Sequence, residues 1–199
     1  VYGTANMGRL QRDYSGTTLP VSTFVHVLYR HGCTMGFIAV TLIFLQSTSD
    51  VFWAVTSGFS ESPSTYIVAL LSALGFFLVF LVSKGVPLSR IQGLWIVYLL
   101  YISIVEELAF RLFLPMVIEP SAGFLSAIVM SNFLFALLHY FTLRWKWKNC
   151  VFVFLGGIGL SRLLENSGDL ALLVLVHFVA TFLNTPSPPG TSTLTKGPE

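Results

Sequence analysis

Residues 90–118 read RIQGLWIVYLLYISIVEELAFRLFLPMVI. Apart from Glu106, Glu107 and Arg111 the stretch is almost continuously apolar. It is longer than the roughly 20 residues that cross a bilayer as an α-helix. It is too long to stand upright, so tilt is expected, with an interfacial start near Gln92–Trp95. An ionisable side chain deep in a bilayer costs roughly 2.5–3.5 kcal/mol on insertion scales, so three of them this close together need a reason. Glu107 and Arg111 are four apart, share a helix face and can pair, and Ser103 extends that face by one turn. Glu106 points about 100° away and is left for other work. Pro115 takes a hydrogen bond from the Arg111 carbonyl, so a kink is expected there.

Working outward, the rest of the chain has the same character. Its 199 residues are 54% hydrophobic and 10% charged, with a mean hydropathy of +0.78. A soluble domain is about 25% charged, and one of this size buries only about 70% of its chain surface. A soluble globule is therefore excluded, and so is intrinsic disorder away from the ends. A net charge of +2 is too weak to argue for nucleic acid. Cys33 and Cys150 make neither a disulfide framework nor a zinc site and read as free thiols in the membrane.

Further apolar runs fall at about 34–57, 64–83, 122–141, 149–162 and 169–184. With 90–118 they predict an all-α, polytopic membrane helix bundle of about six transmembrane helices. Arg9, Arg12, Arg30, Lys84, Arg90, Arg144, Lys146, Lys148 and Lys196 fall in alternate connections, whereas Glu61, Glu119, Glu165 and Asp169 fall in the others with only one basic residue, Arg162. The positive-inside rule then puts both termini in the cytoplasm. The expected division is an N-terminal cytoplasmic or interfacial segment at 1–33, a membrane domain at 34–184 and a disordered tail at 185–199.

Two more spans carry polar side chains. Asn132 and His139 are seven apart and share a face, although His139 lies near Arg144 and can equally sit among headgroups. His177, Thr181 and Asn184 form a stripe at i, i+4 and i+7. His26 and His31 are given no role. Trp145 and Trp147, alternating with Arg144, Lys146 and Lys148, read as an interfacial anchor. A carboxylate, two histidines and amide or hydroxyl donors on three helices fit hydrolysis. Glu106 suits general-base work, and His139 suits holding a water. His177, with Thr181 or Asn184, suits donation to an oxyanion. No serine or cysteine lies in a nucleophile motif, which favours water as nucleophile. A zinc site built from the same residues is the rival, but the His-Glu-x-x-His pattern is absent.

Glu106-Glu107-Leu108-Ala109-Phe110-Arg111 matches an EExxFR motif, Phe135 to His139 matches FxxxH, and His177 falls where HxxxN should follow. In these residues, from Glu106 to about Asn184, the chain resembles the CAAX protease and bacteriocin-processing family, with a family-like core at 90–184. The resemblance implies an all-helical membrane fold and a CAAX prenyl protease-like, metal-independent glutamate peptidase with no cofactor. It implies a catalytic set of Glu106, Glu107, His139 and His177, supported by Thr181, Asn184, Arg111 and Asn132. The expected partners are membrane lipid and a membrane-associated peptide or protein substrate, not nucleic acid. The expected location is a prokaryotic cell membrane, as a multi-pass protein. One position departs: where the family usually has asparagine four residues after the last histidine, this chain has Thr181, which donates one hydrogen bond in place of two. That motivates an alternative, a non-catalytic membrane scaffold or bacteriocin self-immunity protein of the same family. A proton-coupled transporter is the third reading, from the buried charges alone.

Overall fold

The computed structural model describes residues 10–12, 21–46 and 50–189, and among them every regular element is helical. The first rod consists of α1 (Phe24–Val27), a π-helical turn (Leu28–Gly32) and α2 (Cys33–Gln46). Then come α3 (Asp50–Glu61) and α4 (Pro63–Ser83). The quoted stretch is α5 (Arg90–Glu107), a π-helical segment (Leu108–Phe113) and α6 (Leu114–Ala122). The chain closes with α7 (Phe124–Thr142), α8 (Trp147–Ser167) and α9 (Leu170–Asn184). Five of these rods are long and apolar enough to cross a membrane, and α9, at 15 residues, is a shorter apolar helix.

The run predicted at 34–57 is two helices. Thr23 starts α1 ten residues early, its side chain accepting from the His26 N–H, so residues 24–33 belong to the first rod. α2 ends at Gln46 and α3 begins at Asp50. The fifth run extends to both sides of 149–162. Gly168 closes α8 with φ +62°, a left-handed turn that favours glycine, and Asp169 caps α9 by accepting from the Leu172 N–H at 3.0 Å.

Polarity is inverted relative to a soluble protein. Phe37, Phe44, Val79 and Phe152 are all 70–79% exposed, while His31, Gln92, Ser103, Glu106, Glu107, Arg111, Ser131, Asn132, His139 and His177 are buried. Such an apolar exterior is stable only against lipid. Buried phenylalanines fasten α4 to α9: Phe77 stacks on Phe182 with ring centroids 3.7 Å apart and meets Phe178 edge-on.

The rod Arg90–Ala122 has 33 residues, about 50 Å at 1.5 Å per residue, so it must tilt in a hydrocarbon layer about 30 Å thick. Its first turns are helical, with Gln92 and Trp95 buried. Trp95 Nε1 donates to the Thr185 carbonyl at 2.7 Å, and Gln92 Nε2 donates to the Pro186 carbonyl at 2.8 Å. The tail expected to be disordered from 185 is therefore packed through 185–189, because these carbonyls find buried donors; 190–199 lie outside the described residues.

At Pro115 the helix changes register and does not break. In the π segment the Leu114 N–H bonds to the Ala109 carbonyl. The next carbonyl in that register, Phe110, faces a proline with no N–H. Ser131 Oγ on α7 donates to it instead, at 2.6 Å.

Candidate active site

The end of α7 is held by the N-terminal part of the chain. Arg30 Nε and Nη2 donate to the carbonyls of Thr142 and Phe141 at 3.1 and 2.9 Å, and Arg12 Nη2 donates to that of Tyr140 at 3.0 Å. These carbonyls belong to a last helical turn, which has no intrahelical donors of its own. Residues 10–12 also pair with 144–146: Arg12 N–H donates to the Arg144 carbonyl and Lys146 N–H to that of Leu10, both at 2.8 Å. The arginines assigned by sequence to topology thus also fix the helix that carries His139.

Three imidazoles surround one carboxylate. Glu106 Oε1 lies 2.9 Å from His31 Nε2 and 3.8 Å from His139 Nε2, and its Oε2 lies 3.6 Å from His177 Nε2. Each ring presents Nε2 to Glu106 because Nδ1 is engaged elsewhere. His139 Nδ1 donates to the Phe135 carbonyl at 2.9 Å. Thr142 Oγ1 gives its own hydrogen to the Leu138 carbonyl at 2.6 Å, so it accepts from His31 Nδ1 at 2.8 Å. His177 Nδ1 lies 2.5 Å from Glu107 Oε1, an ion-pair contact without aligned hydrogen-bond geometry. The Nε2 and carboxylate atoms are close without in-line N–H geometry, and Glu106 Oε1 has no aligned donor.

Glu106 is therefore not isolated, as its helical angle suggested, and Glu107 does two things. Its Oε2 lies 3.4 Å from Arg111 Nε, the expected pair, and its Oε1 holds His177. Both carboxylates are buried, at 2% and 0% exposure. The Arg111 guanidinium also lies 4.0 Å over the Phe135 ring. His139 is buried in the cluster and not among headgroups. Asn132, on the same helix, turns to α8 and bonds Ser161 Oγ at 2.9 Å. It touches none of the three histidines in any described hydrogen bond. Thr181 and Asn184 line the same cavity as His177. The cavity, about 610 Å³, is walled by the four clustered residues and by Trp95, Tyr98 and Phe152 among others.

Sequence reasoning missed His31. It lies in a π turn of the first rod, outside every quoted motif, and its ring meets that of His139 at 4.8 Å between centroids. The available signal was a histidine inside an apolar stretch that begins at residue 24.

Residues 87–183 match the family described as type II CAAX prenyl endopeptidase Rce1-like. The match covers all three motifs and leaves out the first rod, with His31. Comparison with curated proteins and with solved structures gives no match. The resemblance to the CAAX protease and bacteriocin-processing family is thereby upheld on this segment, and, with five helices long and apolar enough to cross a membrane, the chain is an integral membrane protein.

Proposed function

We propose, for a membrane protein whose residues 87–183 carry the Rce1-like type II CAAX prenyl endopeptidase segment, that it hydrolyses a peptide bond near the end of a membrane-associated peptide or protein. The observation that carries this reading is one buried carboxylate facing three Nε2 atoms at the wall of a cavity.

Glu106 is the general base. A water between Glu106 and the lone pair of His139 Nε2 gives its proton to Glu106 as its oxygen attacks the carbonyl carbon. His177 is poised for the oxyanion. With Nδ1 against Glu107 Oε1, an N–H on Nε2 donates into the cavity. Thr181 supplies a hydroxyl donor further along α9. On collapse of the tetrahedral intermediate the C–N bond breaks and Glu106 returns its proton to the amine. Hydrolysis of this kind uses no metal and no cofactor. The substrate reaches the cavity from a cytoplasmic face shared by both termini, and the host membrane is prokaryotic.

The test is cleavage by the purified chain in lipid vesicles. One fluorogenic peptide carries a prenylated cysteine three residues from its C-terminus, and a second lacks the prenyl group. Release of the last three residues, unchanged by EDTA, is expected, faster from the prenylated peptide. No cleavage of either peptide by folded protein refutes the reading.

A further inference from the structure

We propose that His31, Glu106 and His139 form a binding site for one borderline-soft divalent transition-metal ion of the Zn²⁺ type, and that occupancy blocks hydrolysis. The blocking half rests on the reading of Glu106 as base; the site itself rests on geometry alone.

Three observations carry it. First, the donor atoms are grouped. The Nε2 atoms of His31 and His139 and a Glu106 oxygen all lie within 4.8 Å of one another. The two contacts to Oε1, 2.9 and 3.8 Å, bracket the separation of roughly 3.4 Å between ligands of a tetrahedral zinc with bonds of about 2.0–2.1 Å. Second, both rings are oriented as ligands are. A metal-binding histidine usually donates its other N–H to a carbonyl, carboxylate or similar acceptor. Here His139 Nδ1 donates to the Phe135 carbonyl and His31 Nδ1 to Thr142 Oγ1. Third, Glu106 Oε1 is buried and has no aligned hydrogen-bond donor, so it keeps its lone pairs available. Two imidazoles and a carboxylate suit Zn²⁺, Co²⁺, Ni²⁺ or Cu²⁺ and do not suit Mg²⁺ or Ca²⁺, which need six or more oxygens.

The same ligand set serves catalytic zinc elsewhere, but there a separate carboxylate acts as base. In this cluster the second carboxylate, Glu107, is committed to Arg111 and His177. Once Glu106 binds a metal, no base remains to take a proton from water. Occupancy therefore inhibits. The ion would enter from the cavity that Glu106, His31 and His139 line.

The experiment uses the full chain in nanodiscs, stripped with chelator and titrated with Co²⁺, read by its visible absorption and by Zn²⁺ competition. One ion per chain is expected. His31→Ala should weaken binding at least tenfold, and Thr142→Val, which leaves all ligands in place, by about 10–100-fold. His26→Ala, at an exposed histidine outside the cluster, should bind as wild type does. Thermal melting establishes that each variant is folded, and His31→Gln is the second substitution should His31→Ala unfold. Peptide cleavage should fall as Zn²⁺ loads and return on chelation. Absence of Co²⁺ binding, or equal affinity in folded His31→Ala and His31→Gln, overturns the site. Loss of cleavage on chelation with rescue by Zn²⁺ overturns the inhibition. His31-dependent binding in a chain that cleaves no peptide upholds the site and sinks the hydrolase reading instead.

Discussion

Replacing Glu106 with glutamine isolates the base from the scaffold. The side chain is 2% exposed, so any change of volume would disturb packing, and glutamine changes none. The amide nitrogen can donate to His31 Nε2, which lies 2.9 Å from Oε1, so the contact that orients this side chain survives. Glu107, Arg111 and the Nδ1 contact of His177 are untouched. What disappears is the only carboxylate, among the described residues, in reach of all three Nε2 atoms. Loss of a positioned general base lowers a rate by about 10²–10⁴-fold, or roughly 3–5 kcal/mol on the barrier at 1.36 kcal/mol per tenfold. The assay is single-turnover cleavage of the quenched peptide in vesicles beside thermal unfolding of the same preparation. A fall of two orders of magnitude or more in kcat with an unfolding midpoint within a few degrees of wild type is expected. A folded Glu106→Gln protein that cleaves within threefold of wild type would show that the proton goes elsewhere, and the assignment of Glu106 would fall.

The neighbouring glutamate should behave in the opposite way. Glu107→Gln leaves the buried Arg111 cation uncompensated and should cost about 3–5 kcal/mol of stability, read as a lower unfolding midpoint, with part of the loss recovered in the Glu107→Gln, Arg111→Met double variant. Ser131→Ala leaves the Phe110 carbonyl buried and unpaired beside Pro115, which should lower stability by about 1–3 kcal/mol in the same measurement. Thr181→Asn adds a second donor on the cavity side of α9. Because one oxyanion donor is worth on the order of 10²–10³ in rate, kcat should rise at least tenfold with KM little changed, and an unchanged kcat would remove Thr181 from the oxyanion site.

The spacing of Glu107 and Arg111 was enough to predict their pairing, because four residues on an α-helix always share a face. The angle to Glu106 was equally legible, but not what it faces, since its neighbours come from three other rods brought in by packing. His139 and Asn132 show the limit of a seven-residue interval. Both are buried, yet one turns to Glu106 and the other to Ser161 on α8, because a straight helix drifts about 20° per seven residues and each residue meets whatever helix lies beside its own level. His31 could not be found from motifs, which are local. It reaches the site by way of a first rod that begins at Thr23, a boundary obscured because residues 20–32 are only moderately apolar. The π segments have no periodic signature of their own. Pro115 hinted at one, but the hydroxyl that answers it, on Ser131, is a tertiary partner.

Both π turns, Leu28–Gly32 and Leu108–Phe113, accommodate more residues per turn than an ordinary α-helix does. Deleting one amino acid from the first would let the rod wind normally and swing what lies beyond the deletion by about 100° relative to what comes before. The motifs from Glu106 to Thr181 would stay the same, yet the His31 imidazole would leave the carboxylate. The number of residues in this short window therefore determines whether the pocket closes, as much as the identity of the residues that line it.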